Sequence, residues 1–179
     1  MSESPSSQDQ RLHEVIAAFL QAVDAGQSPD RQELLARHPD LAEPLQAFFA
    51  EVSAYVKEHG ADAELAPYLK PFSQALGELQ QATMWFMQNA LGNPDNAGAG
   101  STDYMHLFGL VALGYMWCLI VDAAKTKAAA AGNSGGERMA AKLATGRFFA
   151  ERMLPASATH LARIKAGAAS TMALPAEAF

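Results

Sequence analysis

Cysteine is almost absent from this sequence, since Cys118 is the single one among 179 residues. One cysteine excludes an intramolecular disulfide framework and a cysteine-based zinc site. Positive charge is also scarce, because 13 lysines and arginines face 19 aspartates and glutamates and leave a net charge of −6. Proteins that bind nucleic acid by neutralising phosphates are usually basic, so we expect no nucleic-acid partner.

Strand patterns and the common nucleotide-binding motifs are missing as well. No stretch alternates apolar and polar residues over the length of a strand, whereas several segments repeat apolar residues every three or four positions. This periodicity predicts an all-α protein, a helical bundle with a small N-terminal helical segment. The sequence has no Gly-x-Gly-x-x-Gly after a strand and no Gly-x4-Gly-Lys-Ser/Thr, which excludes nucleotide binding by those two motifs.

The sequence also lacks an unambiguous membrane span or leader. The borderline stretch, residues 104–121, contains His106 and two glycines. Helices this apolar are more often central in a bundle. The first ten residues are polar and do not have the basic-then-apolar pattern of a signal peptide. We therefore expect a cytoplasmic protein without a membrane partner.

Acidic residues are concentrated in the first third of the chain. Residues 1–59 hold ten acids and four bases, whereas residues 60–179 hold nine of each. This change suggests an acidic three-helix segment at 1–60 and a helical bundle at 61–179, joined at a small, flexible seam. The alternative is one domain with a solvated acidic face.

Apolar spacing, with glycine and proline as stops, predicts seven helical segments. They cover approximately residues 8–25, 28–38, 40–59, 64–91, 103–131, 137–154 and 158–166. Pro67 and Pro71 are expected to split a short lead-in from the fourth segment, because proline interrupts helical hydrogen bonding.

The middle of the chain contains most of the glycine. Residues 92–100 are rich in Gly and Asn and are predicted to be a loop, with Ser101 or Thr102 capping the next helix. Gly109 and Gly114 lower helix propensity and are expected where a neighbouring helix approaches closely. The apolar tail, residues 171–179, is expected to dock.

Side chains that carry chemistry are scattered. The five histidines form no His-x3-His or Glu-x-x-His pair, so no metal site is expected. Asp103 and His106 are three residues apart, so their side chains could contact each other on one face of a helix. The simpler interpretation is an acid at the start of a helix near a histidine whose hydrogen bonds are satisfied elsewhere. Cys118 lies in the most apolar helix and is expected to be a buried, inert thiol.

The remaining candidate functional residues are two acids and a group of basic residues in the last third of the chain. Asp122 and Glu78 are each either a general base or, more simply, a flank residue that faces water or an arginine. Four bases of the last third either meet the acidic first third, bind an anionic ligand or are only solvated: Arg147, Arg152, Arg163 and Lys165. Six aromatic residues are expected in the core: Trp85, Phe86, Tyr115, Trp117, Phe148 and Phe149. We assign no catalytic, cofactor-binding or metal-binding residue.

Three stretches of the chain resemble a known family. They are DYMHLFGLVALGYMW at 103–117, KLATGRFFAERMLP at 142–155, and an ending at 164–174 and 177–179. In order and spacing, residues 64–179 approximately resemble the C-terminal helical domain of a branch of the acyl-CoA dehydrogenase superfamily, the acetyl-CoA dehydrogenase-like C-terminal type.

A second, shorter resemblance lies at the N-terminus. FLQAVDAG at 19–26 and PDRQELLARHPDL at 29–41 are similar to a helical segment that precedes the kinase domain in planctomycete-type serine/threonine kinases. The similar region spans residues 11–50 approximately. No kinase follows, since the chain has no phosphate loop, no His-Arg-Asp and no Asp-Phe-Gly.

The first resemblance implies a relationship to FAD-dependent dehydrogenation of acyl-CoA. In that family the flavin site and the catalytic glutamate lie in preceding domains, which these 179 residues do not match. We therefore expect a non-catalytic helical accessory or oligomerisation module. The partners expected are a second copy or an acyl-CoA dehydrogenase-like subunit, and FAD is expected only if a partner supplies its site.

Two other functions remain open. In the first, the chain completes a FAD-dependent acyl-CoA dehydrogenase in trans, and the basic residues of its last third contact CoA or flavin. Alternatively, it is a signalling adaptor that recruits a partner through the acidic N-terminal segment.

Overall fold

The computed structural model of the chain describes residues 39–90, 92–130, 136–174 and 176–178, and these residues form helices without strands. The helices are α1 (Pro39–His59), α2 (Ala66–Asn89), α3 (Pro94–Ala130), α4 (Gly136–Phe148) and α5 (Ala156–Ala166). A π-helical segment (Phe149–Met153) follows α4, and a 3-10 turn lies at Ala176–Ala178. The predicted all-α class is confirmed. The helices predicted at 8–25 and 28–38 lie outside the described residues.

The chain divides into two compact units, residues 1–51 and 52–179. Of the first unit the structure describes residues 39–51, which are helical and bring the rings of Phe48 and Phe49 to 5.9 Å between centroids. The second unit contains the core described below.

Helix α3 is central in the second unit. It packs against α2, α4 and α5, and these contacts bury large apolar side chains completely: Leu65, Phe72, Leu79, Leu107, Val111, Val121 and Ile164. Among the described residues, α3 is the one helix with the length and apolarity of a membrane span, a match by length and composition only. In its most apolar window, 39% of the residues are buried, so much of its apolar surface lies outside the core.

Helix α2 is continuous, and the predicted break at its prolines is wrong. Pro67 lies in the first turn, where its missing N–H has no partner to lose. Pro71 lies one turn further and removes a single helical hydrogen bond, which the packing of Leu69 and Phe72 in the core outweighs. Asp62 fixes the turn that precedes α2, because its Oδ1 accepts the backbone N–H of Glu64 at 2.8 Å.

Helix α3 begins nine residues earlier than predicted, so residues 94–100 are helical rather than a loop. Asn93, not Ser101 or Thr102, is the cap: its Oδ1 accepts the N–H of Asp95 at 3.2 Å, and Pro94 occupies the first helical position. Gly100 suits this helix because a Cβ there would lie 2.7 Å from Cζ of Phe86 on α2.

Close helix contacts agree with the glycine prediction only in part. A Cβ at Gly114 would lie 3.0 Å from the ring of Phe72 and 3.1 Å from Leu154, which confirms a close approach. At Gly109 a Cβ would meet nothing within 4 Å, so that prediction is wrong. The prediction missed Gly146, where a Cβ would lie 2.7 Å from Cγ2 of Val121.

The end of the chain differs from the sequence expectation at two points. The helix predicted to run to 154 changes at Phe149 into a π segment, in which the N–H of Leu154 reaches the carbonyl oxygen of Phe149 at 3.1 Å. Helix α5 ends at Gly167 as predicted, with φ of +66°. Met172 and Leu174 are about 60% exposed, so these tail residues do not dock as predicted.

Candidate functional site

Four polar side chains meet between α3 and α5. The Nδ1–H of His160 donates to Oδ1 of Asp103 at 2.7 Å, and Nη1 of Arg163 lies 3.5 Å from the same oxygen. The ring of His106 stacks on that of His160 at 5.6 Å between centroids. The sequence left a contact between Asp103 and His106 open, but the histidine that hydrogen-bonds to Asp103 is on another helix. Asp103 also lies inside α3 rather than at a helix start.

The contacts in this cluster hold α3 and α5 together. The hydrogen bond from His160, helped by the charge of Arg163, holds the pKa of Asp103 below its usual value. A catalytic dyad would also need a nucleophile at the imidazole, but within the described ranges the ring hydrogen-bonds to Asp103 alone. No group of three or more metal-ligating side chains occurs among the described residues. The cluster thus joins two helices and keeps a carboxylate ionised.

A second ion-pair group joins the other end of α3 to the start of α2. Nζ of Lys125 lies 2.9 Å from Oδ2 of Asp62 and 3.0 Å from Oε2 of Glu64. The hydrogen bond from Lys125 lowers the pKa of Asp62 and raises that of Lys125 itself. This contact, too, is between structural elements rather than around an open site.

The predicted candidates Cys118 and Glu78 are both buried. Cys118 is 3% exposed, and burial raises the pKa of its thiol to about 12, in agreement with an inert cysteine. Glu78 is 8% exposed and accepts a hydrogen bond from Nε2 of Gln74 at 3.0 Å, so it faces neither water nor an arginine. Its Oε2 has no hydrogen-bond partner in the described part of the chain. Asp122 is half-buried on α3.

The four bases of the last third do not form one patch. Arg147 pairs with Glu151, and Lys165 donates to Oε1 of Gln81 at 3.0 Å. Arg163 reaches Asp103, while Arg152 is exposed on the π segment. Of the six aromatic residues expected in the core, Tyr115 and Phe149 are buried, three are half-buried, and Phe148 is 58% exposed.

An asparagine-lined pocket of about 320 Å³, which the sequence analysis missed, lies where α2, α3 and α5 meet. Asn96 lines the pocket and is fixed by two hydrogen bonds. Its Oδ1 accepts the N–H of Ala168 at 2.9 Å, and its Nδ2 donates to the carbonyl oxygen of Asn89 at 3.1 Å. A Cβ at Gly167 would lie 2.9 Å from Oδ1 of Asn96, so glycine permits this contact. The wall includes Trp85 and Lys165.

An apolar groove of about 410 Å³ runs between the end of α2 and the start of α3. Its lining is Thr83, Phe86, Met87, Ala90, Ala97, Ser101 and Tyr104. The hydroxyl of Thr83 donates to the carbonyl oxygen of Leu79 at 2.9 Å, so Tyr104 is the donor in the 2.8 Å contact between the two hydroxyls. The groove therefore presents apolar walls and few free hydrogen-bond donors to a ligand.

The side of α3 that points away from the core is apolar as well. Met105 is 65% exposed, Leu113 54% and Met116 47%. These three residues, here named the outer face of α3, span about 16 Å of helix at 1.5 Å per residue. Residues 104–121 contain no charged side chain that would solvate this face. Exposed apolar surfaces of this kind often mark interaction sites.

Comparison with known families gives a match. The model of the family described as acetyl-CoA dehydrogenase C-terminal like matches residues 48–175, well over half of the chain. The matched range starts within α1, earlier than the resemblance noted from residue 64, and includes all of α2 to α5. A search of the curated proteins found no match.

Proposed function

Because this chain belongs to the acetyl-CoA dehydrogenase C-terminal-like family, we propose that it is a non-catalytic helical accessory module that forms homo-oligomers through the outer face of α3. The observation that carries the proposal is the exposure of Met105, Leu113 and Met116 on an uncharged stretch of the central helix. Covering such side chains releases roughly 25 cal/mol per Å² of apolar surface removed from water, which favours association.

The polar groups support a non-catalytic role. Asp103, Asp62 and Lys125 each join two structural elements, and Glu78 is buried against Gln74. Groups used in this way hold helices together, and this supports a role in which they do not act on a substrate. The proposed setting is the cytoplasm.

We further propose that the chain has no flavin of its own and that FAD would come only with a partner subunit. The apolar groove fits an isoalloxazine ring poorly, because the hydroxyls of Thr83 and Tyr104 are already hydrogen-bonded to each other and to Leu79. A flavin ring needs donors for its carbonyl oxygens.

Light scattering of the full chain tests the oligomer. The wild type is expected to form a discrete oligomer, and the double variant Leu113→Glu, Met116→Glu to be monomeric because charges cannot be buried unpaired in an interface. Met172→Glu is the matched control, since Met172 is 59% exposed but lies on the tail, and it should leave the oligomer intact. A monomeric wild type, or an oligomer that survives the double variant, would contradict the proposal.

A visible absorbance spectrum and an acyl-CoA oxidation assay with added FAD test the non-catalytic role. A colourless protein without activity is expected. A yellow protein, or activity with FAD alone, would overturn it. If adding the chain restores activity to a truncated acyl-CoA dehydrogenase, the alternative of completion in trans replaces the proposal.

A further inference from the structure

We propose that the asparagine-lined pocket between α2, α3 and α5 binds a purine mononucleotide. This site is distinct from the outer face of α3, and the inference does not depend on the proposed function. It rests on the cavity and on the donors, acceptors, ring and charges that line it.

The pocket is built before any ligand arrives. Asn96 ties α3 to the residue after Gly167 and to the end of α2 through two hydrogen bonds. Asn89 is held in turn, because its Nδ2 donates to the carbonyl oxygen of Trp85 at 2.8 Å. A preformed site loses little free energy in ordering when it binds. Its volume of about 320 Å³ is near the lower end for ligand sites, which favours a mononucleotide over a larger cofactor.

The wall offers the groups that recognise a purine base. Trp85 lines the pocket with an indole ring, and bases stack on aromatic side chains. Asn89 still has its Oδ1 acceptor, and Asn93 has its Nδ2 donor, because the bonds described above use the other amide atom of each. An amide donor and an amide acceptor complement the N6–H and N7 edge of adenine.

The charged lining consists of one cation and one anion. Lys165 uses one of its three N–H donors on Gln81 and retains two for a phosphate. Asp95 supplies carboxylate oxygens that accept hydrogen bonds from ribose hydroxyls. Because one lysine is opposed by one aspartate, a monophosphate suits the pocket better than a triphosphate.

Fluorescence titration tests the site with AMP, adenosine and inorganic phosphate as probes. Trp117→Phe makes Trp85 the single tryptophan, and calorimetry on the unmodified chain repeats the measurement without relying on that variant. AMP is expected to quench Trp85 and to bind about tenfold or more tightly than adenosine, because the phosphate adds a charge-assisted hydrogen bond. Absence of heat and of quenching with millimolar AMP would overturn the proposal.

Two variants and one control variant assign the contacts. Lys165→Met should reduce AMP affinity to that of adenosine and leave adenosine binding unchanged, whereas Arg152→Met, an exposed cation outside the pocket, should change neither. Asn93→Asp keeps the helix cap but removes the amide donor, so it should weaken both AMP and adenosine while thermal unfolding stays at the wild-type temperature. If Lys165→Met and Asn93→Asp bind AMP as the wild type does, or if phosphate alone binds as well as AMP, the purine site is refuted.

Discussion

His160 on α5 donates its Nδ1–H to the carboxylate of Asp103 on α3 at 2.7 Å, across 57 residues of sequence. Both side chains are largely buried, at 17% and 20% exposure, so solvent screens this pair less than a surface ion pair. The contact stabilises the packing of α5 on the central helix.

Replacing Asp103 by Asn should therefore lower the free energy of unfolding by about 1 kcal/mol at pH 7. Because the folded pKa of Asp103 is lowered from 3.8, its contribution is present above that value and is lost as pH falls through the lower folded pKa. Urea unfolding of wild type and variant from pH 7 to below pH 4 should show the difference shrinking. Glu177→Gln, at an exposed turn, is the control and should change little; a difference that does not depend on pH would contradict this account.

A second prediction concerns Gly146. An added Cβ would lie 2.7 Å from Cγ2 of Val121, a stiff β-branched side chain that is fully buried. We expect Gly146→Ala to destabilise the protein by about 1–3 kcal/mol, although alanine is the better helix former by about 1 kcal/mol. Gly77→Ala in α2 is the matched control, because its Cβ would meet nothing within 4 Å, and it should stabilise. Denaturant unfolding measures both, and equal effects at the two glycines would be inconsistent with a steric cause.

A third prediction compares two tyrosines. The hydroxyl of Tyr55 is buried without a hydrogen-bond partner in the described part of the chain, and burial raises its pKa well above the usual value. Tyr55→Phe should be neutral or stabilising by up to about 1 kcal/mol, because it removes an unsatisfied polar group. Tyr68→Phe should instead cost about 1 kcal/mol, since the hydroxyl of Tyr68 donates to the carbonyl oxygen of Leu143 at 3.2 Å. Thermal unfolding distinguishes the two variants. A large loss of stability in Tyr55→Phe would contradict the prediction, because it would indicate that the hydroxyl of Tyr55 has a buried hydrogen-bond partner.

A fourth prediction concerns Cys118. Its thiol is 3% exposed, and its pKa of about 12 leaves almost no thiolate near pH 8. The native protein should react with a disulfide reagent only as fast as it unfolds, and in urea it should react completely. Rapid labelling of the native chain would show that the α3 core opens readily.

Several helix ends were predictable because the signals are local. Gly60 and Gly167 end α1 and α5 where expected, since glycine stops a helix without help from the rest of the fold. The errors occur where packing overrides local preference. Pro71 remains inside α2, and Gly100 lies inside α3, because the core contacts of these helices outweigh the loss of one hydrogen bond or of helix propensity.

The polar sites were not predictable in the same way. The sequence places Asp103 at the start of an apolar helix, but the structure places it inside α3, which begins at Pro94. His160 reaches it only because α5 folds back on α3. Likewise, the sequence predicts a helix end at Asn89 and a loop at Asn93 and Asn96, whereas the structure places all three around one pocket with Lys165.

By itself the sequence determined the all-α class and the family, since periodicity and the order and spacing of motifs are read directly from the chain. The tertiary structure alone decided which side of α3 is left exposed, which partner Asp103 has, and where a pocket forms. Each of these depends on contacts between residues far apart in sequence, and a helical pattern states which residues share a face without stating what covers it.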